Sequence, residues 1–353
     1  MIHFSNKKYI PQQDIIAFDL DSTLVSNVSG KKFPVDEYDF QFTELFKTLD
    51  NYDNIVVFTN QSYNDKKREI MIRRVINIIN CFPKTVGCVA FIADKLWKKP
   101  FVKMLDEYFN LYPYDKYQPH SITYIGDAAG RPNDFSDTDR KFAFNMGIYC
   151  KMKKYTISVS FQTPELFLGL PDMDMNEYTG FNGIQYLQDI KKNNTVQIQK
   201  EYMKQITQIC IEQPTLIICV GPPGSGKTIL AHRLQLLYND LVIIDEMPKT
   251  KKIKIIQKTQ GSMISSQTNP SDLDRQQMIE AAPNHNVIII YWDNIEIAKH
   301  NNYVRYHLTG NLIPNIAYSQ YQKKLNVPDA TYLWKFDGTF RSKEEAYYFI
   351  MKF

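Results

Sequence analysis

Short apolar runs alternate with polar stretches of helix length along most of the chain. Residues 14–20, 55–59, 88–93 and 122–126 are mostly apolar, rich in Ile, Val and Phe, and read as buried strands. Residues 66–80 and 100–110, between them, are long enough for helices. Strand–helix alternation of this kind implies a parallel sheet with helices on both faces, and such sheets gather chemistry at the carboxyl ends of their strands. Residues 171–213 break the rhythm with polar segments such as Lys191-Lys192-Asn193-Asn194, and a second series of strands follows at 216–220, 241–244, 262–266 and 287–291. The expectation is an α/β chain with two doubly wound parallel-sheet domains, 1–170 and 214–353. They are joined by a connector, 171–213, holding at most a helix or two. No internal repeat is visible.

Composition adds limits. A chain of 353 residues, 44% hydrophobic and 23% charged, suits two domains that each bury a core. No run of about 18 apolar residues occurs, so no membrane span is expected. The N-terminus lacks the charged-then-apolar order of a secretory signal. Cys81, Cys88, Cys150, Cys210 and Cys219 are odd in number and scattered, with no zinc spacing. Reduced thiols, and hence an intracellular location, nuclear or cytoplasmic, are expected. The net charge of +4 permits a polyanionic partner without demanding one.

The first chemical signal is Phe18-Asp19-Leu20-Asp21-Ser22-Thr23, two carboxylates just past a buried run. Phosphoryl transfer to an enzyme needs a nucleophile, a proton donor for the leaving oxygen, and positive charge. Asp19 and Asp21, at i and i+2, project to one side in extended backbone, and two clustered carboxylates call for a cation such as Mg²⁺. Two aspartates can also simply end a strand. What changes the reading is the series that follows: Thr59 in Phe58-Thr59-Asn60-Gln61, then Lys98-Lys99-Pro100, then Gly126-Asp127, each after an apolar run.

That order resembles the haloacid dehalogenase superfamily, and more closely the phosphatase half of the polynucleotide kinase 3′-phosphatases. Gly126-Asp127-Ala128-Ala129-Gly130-Arg131 and Asp134-Phe135-Ser136, with the segment running to Gly169, carry the likeness. The resemblance implies a haloacid dehalogenase-like Rossmannoid domain in which Asp19 forms an aspartyl-phosphate and Asp21 is general acid, then base. Asp127 would hold Mg²⁺ with Asp19 and Asp21, the last through its carbonyl. Ser22, Thr59, Lys99 and Arg131 would contact phosphate. Asp134 and Asp139 are alternative supports for the metal shell, and an ion pair at a helix start is the other reading of Asp139.

The second signal is Gly221-Pro222-Pro223-Gly224-Ser225-Gly226-Lys227-Thr228, a P-loop between an apolar run and an amphipathic segment. Its N–H groups would cradle the phosphates of ATP, with Lys227 on the β- and γ-phosphates and Thr228 on Mg²⁺. A kinase also needs a base, for which Asp245, or the adjacent Glu246, is the candidate, and cations, for which Lys299 and Arg305 stand in the right stretch. Residues 215–322 resemble the kinase half of the same family. Met247 stands at the strict register of the family's base, Ser266-Gln267-Thr268-Asn269-Pro270 lacks an acidic residue, and Tyr303 replaces a lid arginine.

Basic clusters at 66–68, 73–74, 151–154 and 249–254 read either as solvated faces or as phosphate contacts, and the last also as a nuclear signal. The resemblance implies an enzyme of nucleic-acid ends, DNA strand breaks above all. It would remove 3′-phosphates, phosphorylate 5′-hydroxyls with ATP, and leave ends for a ligase. No forkhead-associated module is expected ahead of residue 19. The alternatives are a phosphatase carrying a degenerate ATP- or end-binding P-loop domain, and a fusion of small-molecule phosphatase and kinase.

Overall fold

The structure, a computed structural model, describes all residues except Lys7, 62–64, 94–96, 173–180 and 352–353, and omits the side chains of Asp65 and Lys66. Residues 173–180 of the expected connector and the Lys66 side chain of the first basic cluster thus lie outside the described residues. The chain divides into a unit of Met1–Gly180 with Met351–Phe353 and a unit of Phe181–Ile350.

In the first unit, β1 (Ile2–Ser5), β2 (Asp14–Phe18), β5 (Asn54–Asn60), β6 (Gly87–Ala93), β7 (Ser121–Ile125) and β8 (Ser158–Gln162) form a six-stranded sheet in the order β1-β6-β5-β2-β7-β8. Two short strands, β3 (Val25–Ser26) and β4 (Gln41–Phe42), pair separately. All neighbours in the large sheet are parallel except β1, which runs antiparallel to β6. Side chains alternate: Ile55 and Val57 enter a core with Leu24, Val75 and Ile78, while Phe58 packs on Phe91 and Phe142 of the other face. β2 has β5 on one side and β7 on the other, so chain direction diverges at its carboxyl end and opens a crevice there.

The second unit holds a parallel sheet of β9 (Thr215–Val220), β10 (Val242–Ile244), β11 (Met263–Ser265), β12 (Asn286–Tyr291) and β13 (Tyr332–Leu333), ordered β10-β11-β9-β12-β13. Ile217 and Cys219 face one core and Leu216, Ile218 and Val220 the other. The first of these cores also takes Ile206 and Cys210 from the helix Thr195–Glu212. This corrects the expected boundary. The helices Gly183–Lys192 and Thr195–Glu212 belong to the second unit: the latter buries Ile206 and Cys210 against its sheet, and the former packs on the latter and on the helix Lys343–Ile350. Among the described residues no helix is long and apolar enough to cross a membrane.

Candidate active sites

β2 ends at Phe18, and the next residue, Asp19, still donates its N–H to Ile125 O of β7 at 2.8 Å. The chain then turns tightly. Leu24 and Val25 both donate to Leu20 O, Ser22 donates to Val25 O, and Ser22 sits at φ 61°. A non-glycine residue in that left-handed region marks a conformation imposed by its surroundings. Ser22 is exposed at the rim, while Asp19 is only 8% exposed.

Lys99 is the hub of the buried cluster. Its Nζ donates to Asp19 Oδ1 at 2.5 Å, Asp139 Oδ1 at 2.6 Å and the Tyr124 hydroxyl at 2.9 Å. Asn60, at the end of β5, holds the Lys99 backbone from both sides, donating to its carbonyl and accepting from its N–H. Asp139 also accepts from Tyr124 OH and from Ala128 N. Gly126 makes this approach possible, since a Cβ there would stand 2.5 Å from the Asp139 carboxylate. Asp19, Asp127 and Asp139 place one carboxylate oxygen each within 4.8 Å of one another. Three carboxylates and one ammonium leave a negative excess in a dry place. Burial, first, and the neighbouring carboxylates push Asp19 well above the usual carboxylate range against the pull of Lys99. Burial and Asp139 bring Asp127 up to about 7. An all-oxygen donor set with uncompensated charge fits a hard divalent cation.

Asp139, not Asp134, therefore joins the cluster, and the helix-start ion pair considered for it is not its role. Asp134 instead accepts from the N–H groups of Ala129 and Arg131 and pairs with the Arg131 guanidinium. Arg131, expected on phosphate, has its guanidinium on Asp134, Glu165 and Asp172. The Asp21 carboxylate is not in the cluster either. It is held by Gln61 Nε2 at 2.6 Å and Arg74 at 2.7 Å. Gln61 also donates to the hydroxyl of Thr59 at 2.9 Å.

Arg74, in a basic cluster whose pattern fits a solvated face or a phosphate contact, is wholly buried and also donates to Asp39 O and Asn27 Oδ1. Neither Gln61 nor Arg74 could be found from spacing, since their partners lie 40 and 53 residues away. Two exposed aromatic residues, Phe33 (63%) and Phe135 (70%), likewise carry no signal in the linear pattern. One comes from the loop after Ser22, the other from the loop after Asp127. The Lys32 ammonium lies 5.7 Å from the Phe33 ring and 4.8 Å from the Phe135 ring.

In the second unit the P-loop follows β9, at the divergence of β11 and β12. Gly224 (φ 81°) and Gly226 (φ 97°) take positions that L side chains avoid, and a Cβ on Gly224 would stand 2.6 Å from Ala298 O. Lys227 begins the helix Lys227–Leu237, with its Nζ on Gly221 O, Pro222 O and Ser225 Oγ. Burial pulls this ammonium down to about 8. Thr228 donates to Asp245 Oδ2 at 3.1 Å, which brings the two sequence-selected groups together. The loop opens on a cavity of about 840 Å³, lined also by Asp245, Glu246, Arg305 and Arg341. Lys299 does not line it; one turn along its own helix it pairs with Glu296 at 2.8 Å. Met247 donates no side chain to this lining, and its carbonyl accepts from Gln267.

Strand-end aspartates around a lysine in one unit and a phosphate cradle in the other define a two-unit phosphoryl-transfer enzyme. Residues 14–167 match the family model described as polynucleotide kinase 3 phosphatase, and through this segment the chain belongs to that family. Residues 193–289, around the P-loop, match the model of magnesium chelatase, subunit ChlI. The "Bifunctional polynucleotide phosphatase/kinase" of Schizosaccharomyces pombe is 29% identical over 338 residues, covering 89% of this chain and 76% of that protein. The "Putative bifunctional polynucleotide phosphatase/kinase" of Acanthamoeba polyphaga mimivirus is 27% identical over 367 residues, covering 89% and 81%. An uncharacterized 20.8 kDa protein of Autographa californica nuclear polyhedrosis virus is 34% identical over 176 residues, covering 46% of this chain and 88% of that protein.

Proposed function

We propose that the chain repairs nucleic-acid ends, removing 3′-phosphates in its first unit and phosphorylating 5′-hydroxyls with ATP in its second. The observation that carries the phosphatase is the Asp19–Lys99–Asp139 cluster with Asp127 beside it at the carboxyl ends of β2 and β7. Asp19 attacks the phosphorus, the bond to the 3′-oxygen breaks, and Asp21 gives that oxygen its proton. Asp21 then takes a proton from the water that attacks the aspartyl-phosphate, which releases inorganic phosphate and restores Asp19. Gln61 and Arg74 hold the Asp21 carboxylate for both steps. Lys99, Thr59 and Ser22 bind the phosphate oxygens.

Mg²⁺ would be held by Asp19, Asp127 and the Asp21 carbonyl, with Asp139 supporting the set through Lys99. When bound it offsets phosphate charge and keeps Asp19 ionised. Asp127 bears on this directly. With its pKa raised to about 7 and Asp19 raised beside it, metal binding in acid must displace protons, so affinity should fall as the pH drops below about 7. Titration calorimetry with Mg²⁺ at pH 6, 7 and 8 in two buffers of different ionisation heat should show more proton release at pH 6 than at pH 8. A pH-independent affinity would remove Asp127 from the metal set.

In the second unit the loop N–H groups and Lys227 bind the ATP phosphates, Thr228 serves the nucleotide's Mg²⁺, and Asp245 takes the proton of the 5′-hydroxyl. Arg305, on the cavity wall, is placed to meet phosphate charge, whereas Arg341 on the same wall is paired with Glu345 at 2.9 Å. Exposed Phe33 and Phe135 favour a nucleic-acid substrate over a small sugar phosphate, because unpaired bases stack on such rings. The products, 3′-hydroxyl and 5′-phosphate, are what a ligase consumes, and we place the enzyme in the nucleus or cytoplasm where strand breaks arise.

A gapped DNA duplex with 3′-phosphate and 5′-hydroxyl ends tests both halves. With Mg²⁺ alone, the 3′-phosphate should disappear and the 5′-end stay unchanged; adding ATP should phosphorylate the 5′-end. Retention of the 3′-phosphate would sink the phosphatase reading. Dephosphorylation with no ATP-dependent change would make the second unit an end-binding module.

A further inference from the structure

Arg74, on the helix Asp65–Asn80, has no exposed surface, and its guanidinium reaches three separate parts of the chain. Nη1 donates to Asp21 Oδ1 at 2.7 Å, Nη2 to Asn27 Oδ1 at 3.1 Å and Nε to Asp39 O at 3.2 Å. Asn27 begins the loop 27–40 between β3 and β4, and Asp39 stands near its end. The Asp39 carboxylate closes this loop on itself, accepting from Ser29 N at 2.8 Å, Ser29 Oγ at 2.7 Å and Val35 N at 2.9 Å. Asn27 Nδ2 adds a bond to Lys31 O at 2.9 Å. Between these ties the loop exposes Lys32 and Phe33, and the Lys32 ammonium lies over Phe135 of the loop after Asp127. One buried side chain thus joins the acid of the phosphatase reaction to both ends of an exposed loop.

The join bears on chemistry because a guanidinium can only donate. With Arg74 on Oδ1, that oxygen takes the carbonyl role when Asp21 is protonated, and the proton sits on Oδ2. Oδ2 is the oxygen that Gln61 holds at 2.6 Å, and Gln61 also holds the Thr59 hydroxyl at 2.9 Å. Arg74 therefore sets which oxygen carries the proton, and it is the one on the Thr59 side. When that proton leaves, the new carboxylate charge forms 2.7 Å from the guanidinium, which stabilises it. Before transfer the acid is neutral and withdraws the charge that pairs with Arg74. The guanidinium is then steadied by two neutral oxygens of the loop, Asn27 Oδ1 and Asp39 O. The loop sets the geometry of the acid in the state that reacts.

We propose that Arg74 is a positioning residue that makes protonation of the leaving 3′-oxygen depend on the 27–40 loop, so that nucleotides bound along this loop raise the rate of bond breakage and not affinity alone. This rests on the phosphatase reading above. In the step concerned a bond forms from Asp19 to phosphorus, the bond to the 3′-oxygen breaks, and the proton of Asp21 Oδ2 passes to that oxygen. A strand holds the loop and sets the acid. A lone nucleotide 3′-phosphate holds it less and is cleaved more slowly, and an ester whose leaving group needs no proton is indifferent to the loop.

The test is single-turnover cleavage by a saturating excess of the full chain with Mg²⁺, which reads bond breakage without the later steps. The substrates are thymidine 3′-phosphate, 3′-phosphorylated oligothymidylates of two, four and eight nucleotides, and p-nitrophenyl phosphate, whose nitrophenolate leaves without a proton. The unmodified chain should cleave the longest strand roughly tenfold or more faster than the mononucleotide. Asn27→Ala cuts the loop from the guanidinium and leaves the Arg74–Asp21 pair in place. It should abolish that rise and cleave p-nitrophenyl phosphate at the unmodified rate. Arg74→Lys keeps the charge but cannot fork over three partners. It should slow the longest strand roughly ten- to hundred-fold, within the contribution of a positioned acid, and p-nitrophenyl phosphate far less. A residue that only held the fold together would slow every substrate alike.

Equal saturated rates for the mononucleotide and the longest strand on the unmodified chain would overturn the proposal without recourse to any variant. So would a rise with length that survives in Asn27→Ala, or an Arg74→Lys chain that slows every substrate equally. Absence of phosphate release from every 3′-phosphorylated substrate would overturn the phosphatase reading and this proposal with it, a result distinct from hydrolysis that ignores strand length.

Discussion

Asp19→Asn is expected to reduce 3′-phosphate release by about 10⁴-fold or more while leaving ATP-dependent 5′-phosphorylation unchanged. An amide of the same shape cannot form the aspartyl-phosphate. The environment makes this a clean test. Asp19 is one of three clustered carboxylates and shares the Lys99 ammonium with Asp139, and burial with its neighbours already pushes it toward the neutral form. A neutral amide relieves that repulsion, and Lys99 keeps Asp139 at 2.6 Å and the Tyr124 hydroxyl at 2.9 Å. The thermal midpoint of Asp19→Asn should therefore hold or rise, and loss of activity cannot be ascribed to unfolding. Trapping with radiolabelled 3′-phosphate substrate followed by acid quench should give labelled protein for the unmodified chain and none for Asp19→Asn. Retained hydrolysis would overturn the mechanism.

The second large effect is expected at Asp245. Asp245→Ala should lower phosphate transfer from ATP to a 5′-hydroxyl by about 10²- to 10⁴-fold, the usual contribution of a positioned base, with the phosphatase untouched. Asp245 is half-buried, at the end of β10, and holds the Thr228 hydroxyl at 3.1 Å. Its loss leaves the Lys227 contacts to the loop in place, so nucleotide affinity should change far less than turnover. Full transfer by Asp245→Ala would move the base to Glu246, which lines the same cavity at φ 37°. Single-turnover rates alongside ADP affinity separate the two readings.

The positions of the strands were legible because buried parallel strands are written as local apolar runs. The runs at 55–59, 88–93 and 216–220 fall inside β5, β6 and β9. The edge strands β1 and β13 were not seen. β1 is the antiparallel member of its sheet and half-exposed, and β13 is two residues long, so neither leaves such a run. The helices at 183–192 and 195–212 looked like a connector because only a few of their residues are buried: Gly183 and Ile190 in one, Gln199, Ile206 and Cys210 in the other.

In the sites, what the sequence alone determined is every group set by its own strand or loop. Asp19, Asp127 and Thr59 at strand ends and the glycines and Lys227 of the P-loop are specified by a few adjacent residues, and adjacency is what a linear pattern records. Whether a charge is solvated or buried was decided only by tertiary structure. Arg74 and Lys252 sit in lysine–arginine runs that look like solvent faces, yet one is enclosed against Asp21, 53 residues away, and the other against Asn269, 17 residues away. Arg131 and Lys299, chosen as phosphate ligands, are taken by carboxylates instead, Lys299 by one a single turn along its own helix. Asp139, in the first turn of the helix Thr138–Met152, reaches the cluster because Gly126 has no side chain to keep it out. The energy of a charge depends on the dielectric and the partners around it, and both are fixed by chain segments that meet only in the fold.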